Sequence, residues 1–164
     1  MTPAATGLDQ QLEQTLAAWP LFNQGEATLA LEHQGNHLTC VLTALESLAC
    51  AFSSLTLHSD RLAGAGIEQL KTVSAELARR LTYLLEPISP IETDVDRCIV
   101  QMRSLPPKQQ NDQIDYFELL VSRSGELSLC RYCRAKGSER EPVPAQVTRE
   151  VLVRLAGDLA AAAG

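Results

Sequence analysis

Residues 114–134 read IDYFELLVSRSGELSLCRYCR and contain two runs of strand-forming residues on either side of Ser124-Gly125. Leu, Val, Phe and Tyr suit a pleated, half-buried strand, and glycine in a tight turn tolerates a positive φ. We therefore predict strands over 114–122 and 126–134, joined as a β-hairpin. Because a hairpin makes its two strands antiparallel, this stretch indicates an antiparallel sheet.

Other segments outside the hairpin have the same strand-like composition and are bounded by turn residues. We predict further strands over 26–33, 37–45, 48–58, 88–93 and 97–103. The run LTCVLTALESLACAF at 38–52 also places apolar residues at helical spacing. Short apolar runs are ambiguous in this way, so a helix over 38–52 stays open as the alternative to two strands.

Three segments have apolar residues at the spacing of an α-helix. The first covers about 7–19 before Pro20, the second about 66–85 before Pro87, and the last begins near Thr148. The second has the most regular apolar stripe, which consists of Ile67, Leu70, Val73, Leu77, Leu81 and Leu84. Strands joined in hairpins with helices between the groups are typical of an α+β fold.

The predicted fold is α+β, with an antiparallel sheet of about seven strands in the order α-βββ-α-ββββ-α. Each predicted helix has one apolar stripe, so we expect the helices to pack mainly on one face of that sheet. A chain of 164 residues that is 45% hydrophobic suits one domain with one core. We assign residues 6–164 to this domain and predict a disordered N-terminus at 1–5.

The composition bears on partners and on location in the cell. Aromatic residues make up 4% of the chain and its net charge is −6, so a nucleic-acid platform is unfavourable. No apolar run is long enough for a membrane span, and the first residues lack a basic stretch followed by an apolar one. We therefore expect a cytoplasmic protein that has reduced cysteines and no membrane partner.

Most of the 14 Lys and Arg residues lie between positions 97 and 154, and several of them flank the hairpin. On the return strand, Arg131 lies on one face, while Tyr132 and Arg134 lie on the other. Together with Glu118 on the neighbouring strand, these four residues are the candidate binding site. Arginines beside an aromatic ring could bind a phosphate or an acidic partner.

Metal ligation is the other chemistry that we considered. His33 and His37 flank a predicted turn, where they could face each other, with Glu32 or His58 as a third ligand. The CxxC motif at 130–133 lies in a strand, where residues three apart point to opposite faces. Because neither the histidines nor the cysteines occur in a four-ligand pattern, we expect no bound metal and no cofactor.

These observations favour a non-catalytic protein-interaction or adaptor domain, with a protein as its partner and a homodimer left open. The chain contains no GxSxG, P-loop or HExxH motif, so the sequence favours a non-enzymatic function without settling it. The alternative is a small-molecule or anion-binding domain, an enzyme included, that uses the 114–134 hairpin. A pocket lined by acids or bases with shifted pKa values would favour that alternative.

Overall fold

A computed structural model of the chain describes residues 7–164, so the predicted disordered segment 1–5 lies outside the described residues. The helices and strands have the following bounds in chain order: α1 (Leu8–Ala18), β1 (Ala27–His33), β2 (Asn36–Leu45), β3 (Ala49–Ser59), α2 (Ile67–Arg80), β4 (Ile88–Asp94), β5 (Ile99–Ser104), β6 (Lys108–Gln110), β7 (Gln113–Ser122), β8 (Glu126–Ala135), β9 (Glu141–Val143), β10 (Ala145–Thr148) and α3 (Arg149–Ala163). No helix within residues 7–164 combines the length and apolar character needed to cross a bilayer.

The strands form one antiparallel sheet in the spatial order β1-β2-β3-β8-β7-β5-β4. The hairpin β7–β8 lies at the centre of this sheet, where β8 pairs with β3 and β7 pairs with β5. Three short strands lie off this path, since β6 pairs with β7, β9 with β8 and β10 with β3. The predicted α+β class with an antiparallel sheet is therefore confirmed.

The number of strands predicted after α2 is wrong. Seven strands follow α2 instead of four, because the sequence analysis did not predict the short strands β6, β9 and β10. These strands are three, three and four residues long and have little apolar alternation, so no periodic signal announces them. Their backbones instead complete hydrogen bonding along longer strands that already exist.

The ambiguous run at 38–52 belongs to β2 and β3, so the helical alternative is wrong. In β2, Leu38, Cys40 and Leu42 are all fully buried, and Thr39 between them is exposed. This period of two is that of a strand with one covered face. The pairing of β2 with both β1 and β3 fixes the register of that alternation.

The helices begin and end close to the predicted positions, with one exception. The Thr148 side chain caps α3 by accepting a hydrogen bond from the Val151 backbone N–H at 3.1 Å, as expected for an N-cap threonine. However, α2 ends at Arg80 and not near residue 85. Leu81 and Leu84 stay buried after the chain leaves the helix, so their spacing imitated a longer helix.

We call the helix-covered face of the sheet the inner face and the opposite face the outer face. Along the inner face, α1 lies against β1, α3 against β3 and α2 against β4, β5 and β7. One core of buried residues joins all three helices to the strands. All three helices lie on this face, and their cover ends before the open ends of β7 and β8.

Candidate functional site

The register of the β7–β8 hairpin determines which side chains share a face. Tyr116 pairs with Tyr132 and Glu118 with Cys130, and these side chains lie on the outer face. Phe117 pairs with Arg131 one position along, so both side chains lie on the inner face. At this position along its strands, the hairpin therefore presents different side chains on its two faces.

The structure separates the four candidate residues of the sequence analysis. Glu118, Tyr132 and Arg134 lie on the outer face, whereas Arg131 lies on the inner face. Arg134 is exposed near the open end of the hairpin and makes no ion pair with any residue in 7–164. The single binding site that we predicted from these four residues is therefore divided into separate environments.

Glu118 is the centre of a charged cluster on the outer face. Its Oε2 accepts hydrogen bonds from Arg140 Nη1 at 2.6 Å and from Gln101 Nε2 at 2.9 Å, and Arg103 Nε lies 3.4 Å away. Glu118 is only 5% exposed, so its carboxylate is not open to a ligand as a binding-site residue would be. The reason is that Arg140, from the 136–140 loop, folds back over the sheet and covers it.

The aromatic rings beside this cluster hold its arginines in place. The Arg140 guanidinium lies 3.9 Å from the centre of the Tyr132 ring, and that of Arg103 lies 4.9 Å from the Tyr116 ring. Cations are attracted to the faces of such rings. Tyr132 therefore positions Arg140 over Glu118 in this structure and is not free to receive a ligand cation.

The electrostatics of Glu118 are dominated by its partners. Burial acts to raise the pKa of this carboxyl, but the hydrogen bonds from Arg140 and Gln101 outweigh burial and hold it below its usual value. The hydrogen bond with Glu118 raises the pKa of Arg140 in turn. The Glu118 carboxylate and the Arg140 guanidinium are thus both charged at neutral pH and satisfy each other.

Arg131 makes a second ion pair, on the inner face. Its Nη2 lies 3.1 Å from Glu86 Oε2 and its Nη1 lies 3.4 Å from Glu86 Oε1, which is a two-pronged contact. Both side chains are 12% exposed, and the guanidinium lies 4.6 Å from the centre of the Phe117 ring. This arginine is therefore neutralised within the chain.

A groove of about 920 Å³ lies on the inner face where the helix cover ends. We call it the inner groove. Its floor includes Phe117, Arg131 and Cys133, and three chain segments form its walls: 83–87, 106–108 and 143–151. The apolar residues among these are Tyr83, Leu84, Leu85, Pro87, Pro106, Pro107, Val143, Pro144, Val147 and Val151.

Leu85 is the most unusual residue of the inner groove. Its side chain is 98% exposed, the highest value among the exposed large apolar residues of the described chain. Its backbone has a φ of 68°, a left-handed conformation that a branched residue adopts only at a cost in energy. An exposed leucine held in a strained conformation at the edge of a groove is typical of a functional position.

Two titratable groups of the inner groove, Tyr83 and Cys133, have raised pKa values. Burial and the hydrogen bond that Tyr83 donates to Asp158 at 2.7 Å raise the pKa of the Tyr83 hydroxyl. Desolvation and the hydrogen bond with Asp115 raise the pKa of the Cys133 thiol. Because the thiolate is the reactive form of cysteine, Cys133 is a poor nucleophile at neutral pH.

The two cysteines of the CxxC motif lie on opposite faces, as the strand assignment predicted. Cys130 pairs with Glu118 on the outer face, and Cys133 pairs with Asp115 on the inner face. Two thiols on opposite faces of a sheet cannot bridge to each other or share a metal ion. The motif is therefore a consequence of strand composition and not a redox centre.

The residues that sequence reasoning missed are distant in the chain from the hairpin. Glu86 is 45 positions from Arg131, and Arg140 is 22 positions from Glu118. No local spacing rule connects such pairs. A usable signal was the group of prolines at 87, 106, 107 and 144, since prolines in several loops predict rigid, uncovered backbone there.

No protein-family model matches this sequence, and the searches of curated proteins and of solved structures likewise find no match. Fold analogy therefore contributes nothing to an assignment of function. The features that bear on function are the inner groove, the outer charged cluster and the free cations near the end of the hairpin.

Proposed function

We propose that this chain is a non-catalytic protein-interaction domain whose inner groove binds an apolar segment of a partner protein. The observation that carries this proposal is Leu85, an almost fully exposed leucine at the edge of a largely apolar groove. A contiguous apolar surface of this kind marks interaction sites on soluble domains.

The charges in the inner groove favour an uncharged occupant. Glu86 and Arg131 neutralise each other across a two-pronged contact. The other two charged residues of the lining, Lys108 and Asp115, are opposite in sign and are neighbours in the β6–β7 pairing, so the lining has no net charge. Gln113, Gln146 and Thr148 also line the groove and offer neutral hydrogen-bonding groups to a peptide backbone. We infer an occupant with large apolar side chains on a chain segment without charges.

The size of the inner groove supports a segment of protein more than a small molecule. Small-molecule pockets have volumes of about 300–1,000 Å³ and enclose most of their ligand. This groove, at about 920 Å³, is at the upper end of that range, and exposed Leu85 forms part of its wall. The raised pKa values of Tyr83 and Cys133 make neither of these two groups a ready base or nucleophile at neutral pH.

The test uses an array of short peptides of varied apolar and charged content as the probe. We expect the bound peptides to be rich in large uncharged side chains and to shift the NMR signals of Phe117, Arg131 and Cys133. Leu85→Asp should weaken binding about 10- to 100-fold, because burial of a leucine side chain is worth about 1.5–3 kcal/mol.

Leu48→Asp is the matched control, because Leu48 is 80% exposed and lies outside the inner groove. It should bind the same peptides as the unmodified protein. Equal losses in both variants, or shifts that map to another surface, would contradict the proposal. Self-association that Leu85→Asp abolishes would instead show that a second copy of this chain occupies the groove.

The alternative, an anion site on the hairpin, is favoured by one observation. Arg134 and Lys136 line a shallow pocket of about 540 Å³ beside the open end of the hairpin, which we call the anion pocket. Neither residue makes an ion pair with the described residues. If the anion pocket binds anions, inorganic phosphate should shift the NMR signals of both residues and the shift should weaken as salt rises. Arg134→Ala with Lys136→Ala should abolish it without loss of stability.

A further inference from the structure

Three metal-ligating side chains meet at the other end of the sheet, away from the inner groove. His37 in β2 pairs with His58 in β3 on the outer face, and Asp60 directly follows β3. One ligand atom from each of these residues lies within 4.8 Å of the other two. The sequence analysis considered His33 and His37 together, but they lie on opposite faces, because His37 pairs with Glu32 and His33 with Asn36.

The distances between these ligand atoms are close to those of a metal centre. His37 Nε2 and His58 Nδ1 each lie 3.8 Å from Asp60 Oδ1. In a tetrahedral zinc site with bonds of about 2.0–2.2 Å, neighbouring ligand atoms lie about 3.3–3.6 Å apart. The distance between the two imidazole nitrogens is at most 4.8 Å, so movements of up to about 1 Å at these solvent-accessible side chains would complete the geometry.

The remaining nitrogen of each imidazole faces a group that orients the ring. His58 Nε2 lies 3.0 Å from the Ser124 carbonyl oxygen, which can only accept a hydrogen bond. In the neutral ring the proton is thus on Nε2, and the lone pair of Nδ1 points toward Asp60. His37 Nδ1 lies 3.7 Å from Glu32 Oε2, slightly beyond hydrogen-bond distance, and a small rotation of the exposed Glu32 side chain would give the carboxylate–histidine hydrogen bond that supports metal ligands.

Backbone contacts between three turns hold this cluster in position. The Asp60 N–H donates to the Gly35 carbonyl at 2.9 Å, and the Ser59 N–H donates to the Gly125 carbonyl at 2.9 Å. Gly125 has a φ of 94°, and a Cβ there would lie 2.7 Å from the Ser59 carbonyl oxygen, so only glycine fits. The turn of the β7–β8 hairpin thus places the Ser124 carbonyl beside His58.

We propose that His37, His58 and Asp60 form a binding site for a divalent transition metal ion of the zinc class. The two imidazoles and one carboxylate supply three ligands, and water completes the shell because the site is open to solvent. The side chains are 42%, 42% and 64% exposed, so an ion reaches them without unfolding. This proposal replaces our sequence-based expectation that the chain binds no metal.

The test is a calorimetric titration of untagged, reduced protein with zinc chloride. We expect one zinc ion per chain, a higher melting temperature, and shifts in the imidazole nitrogen signals of His37 and His58 but not of His33. His58→Gln and Asp60→Asn should each remove this binding. Glu32→Gln should weaken zinc binding by about tenfold without abolishing it, because Glu32 orients the His37 ring and is not itself a ligand.

His33→Gln is the matched control, because His33 contacts Gln11 on the inner face at 3.0 Å. It should leave zinc affinity unchanged. The chain also has free cysteines, so the visible spectrum of the cobalt-substituted protein should show nitrogen and oxygen ligation without thiolate. Absence of zinc binding, binding that survives His58→Gln, or a thiolate spectrum would each overturn the proposal and leave a cluster of ion pairs.

Discussion

The two halves of the β7–β8 hairpin share one inner face but have different surroundings. Toward the turn, Leu119 faces Leu129 and Val121 faces Leu127, and all four are fully buried beneath the helices. Toward the open end, the pairs that continue this face line the inner groove. Strand alternation assigns a side chain to a face, but the reach of a helix decides whether that face becomes core or binding surface.

The largest expected effect is in the half near the turn. Leu119→Ala removes a fully buried side chain from the core, and such truncations cost about 2–5 kcal/mol. Leu120 is the matched control, because it is adjacent in sequence but lies on the outer face and is partly exposed. Urea melts should show a clearly smaller loss for Leu120→Ala; equal losses would mean that the inner face is not the better packed one.

The ion pair at the open end gives the second largest effect. Arg131→Met leaves the Glu86 carboxylate without its partner in a nearly buried position, which should cost about 1.5–3 kcal/mol. Glu86→Gln combined with Arg131→Met should cost less than the sum of the two single variants, because neither then leaves a charge unpaired. Strict additivity in urea melts would show that the two side chains do not interact.

This result would also bear on the sequence-based assignment of Arg131 to a binding site. A binding-site arginine is expected to be free at the surface, so that its removal costs little stability. In the structure, Arg131 lies over Phe117 and contacts Glu86, and that partner lies in the segment between α2 and β4. Nothing in the local pattern of the hairpin indicates this partner.

Local sequence patterns predicted the fold better than the site. The alternation in 114–134 and the turn at Ser124-Gly125 were sufficient to predict the central hairpin and the faces of its side chains. The short strands β6, β9 and β10 were missed because they contain three or four residues each. The metal-site geometry was missed because Asp60 reaches His37 only through a turn contact with Gly35.

The third largest expected effect is at Glu118 on the outer face, and it depends on pH. Glu118→Gln should cost about 1–1.5 kcal/mol at pH 7, the difference between a charged and a neutral hydrogen bond. Because the folded-state pKa of Glu118 is lowered, its contribution is complete above the unfolded value of about 4.3. The contribution is lost as the pH falls through the folded pKa.

Urea melts at a series of pH values would measure this contribution. We expect a constant difference in unfolding free energy between the unmodified protein and Glu118→Gln above about pH 5, and a shrinking difference below about pH 4. Glu126→Gln is the control, because Glu126 is an exposed glutamate of the same hairpin. A difference that grows as the pH falls would show that burial, and not the hydrogen bond from Arg140, determines the direction of the pKa shift of Glu118.

The smallest expected effect is at Leu85, and its sign is opposite to the others. A left-handed conformation costs a non-glycine residue about 1–2 kcal/mol, while glycine loses about 0.5–1 kcal/mol more backbone entropy on folding. Leu85→Gly should therefore raise stability by up to about 1 kcal/mol, since φ there is 68° and the side chain has almost no neighbours to lose. The same variant should lose peptide binding, because it removes the exposed apolar wall of the inner groove.

Leu48→Gly distinguishes strain from mere exposure. Leu48 is also highly exposed, at 80%, but it is not among the residues with a positive φ. Its replacement by glycine should therefore lower stability by about 0.5–1 kcal/mol through backbone entropy alone. If Leu85→Gly instead destabilises as Leu48→Gly does, the strain at residue 85 is absent in solution. If Leu85→Gly stabilises the protein and abolishes peptide binding, then Leu85 lowers the stability of the fold but contributes to binding. This is the contrast expected between a binding-surface residue and a core residue.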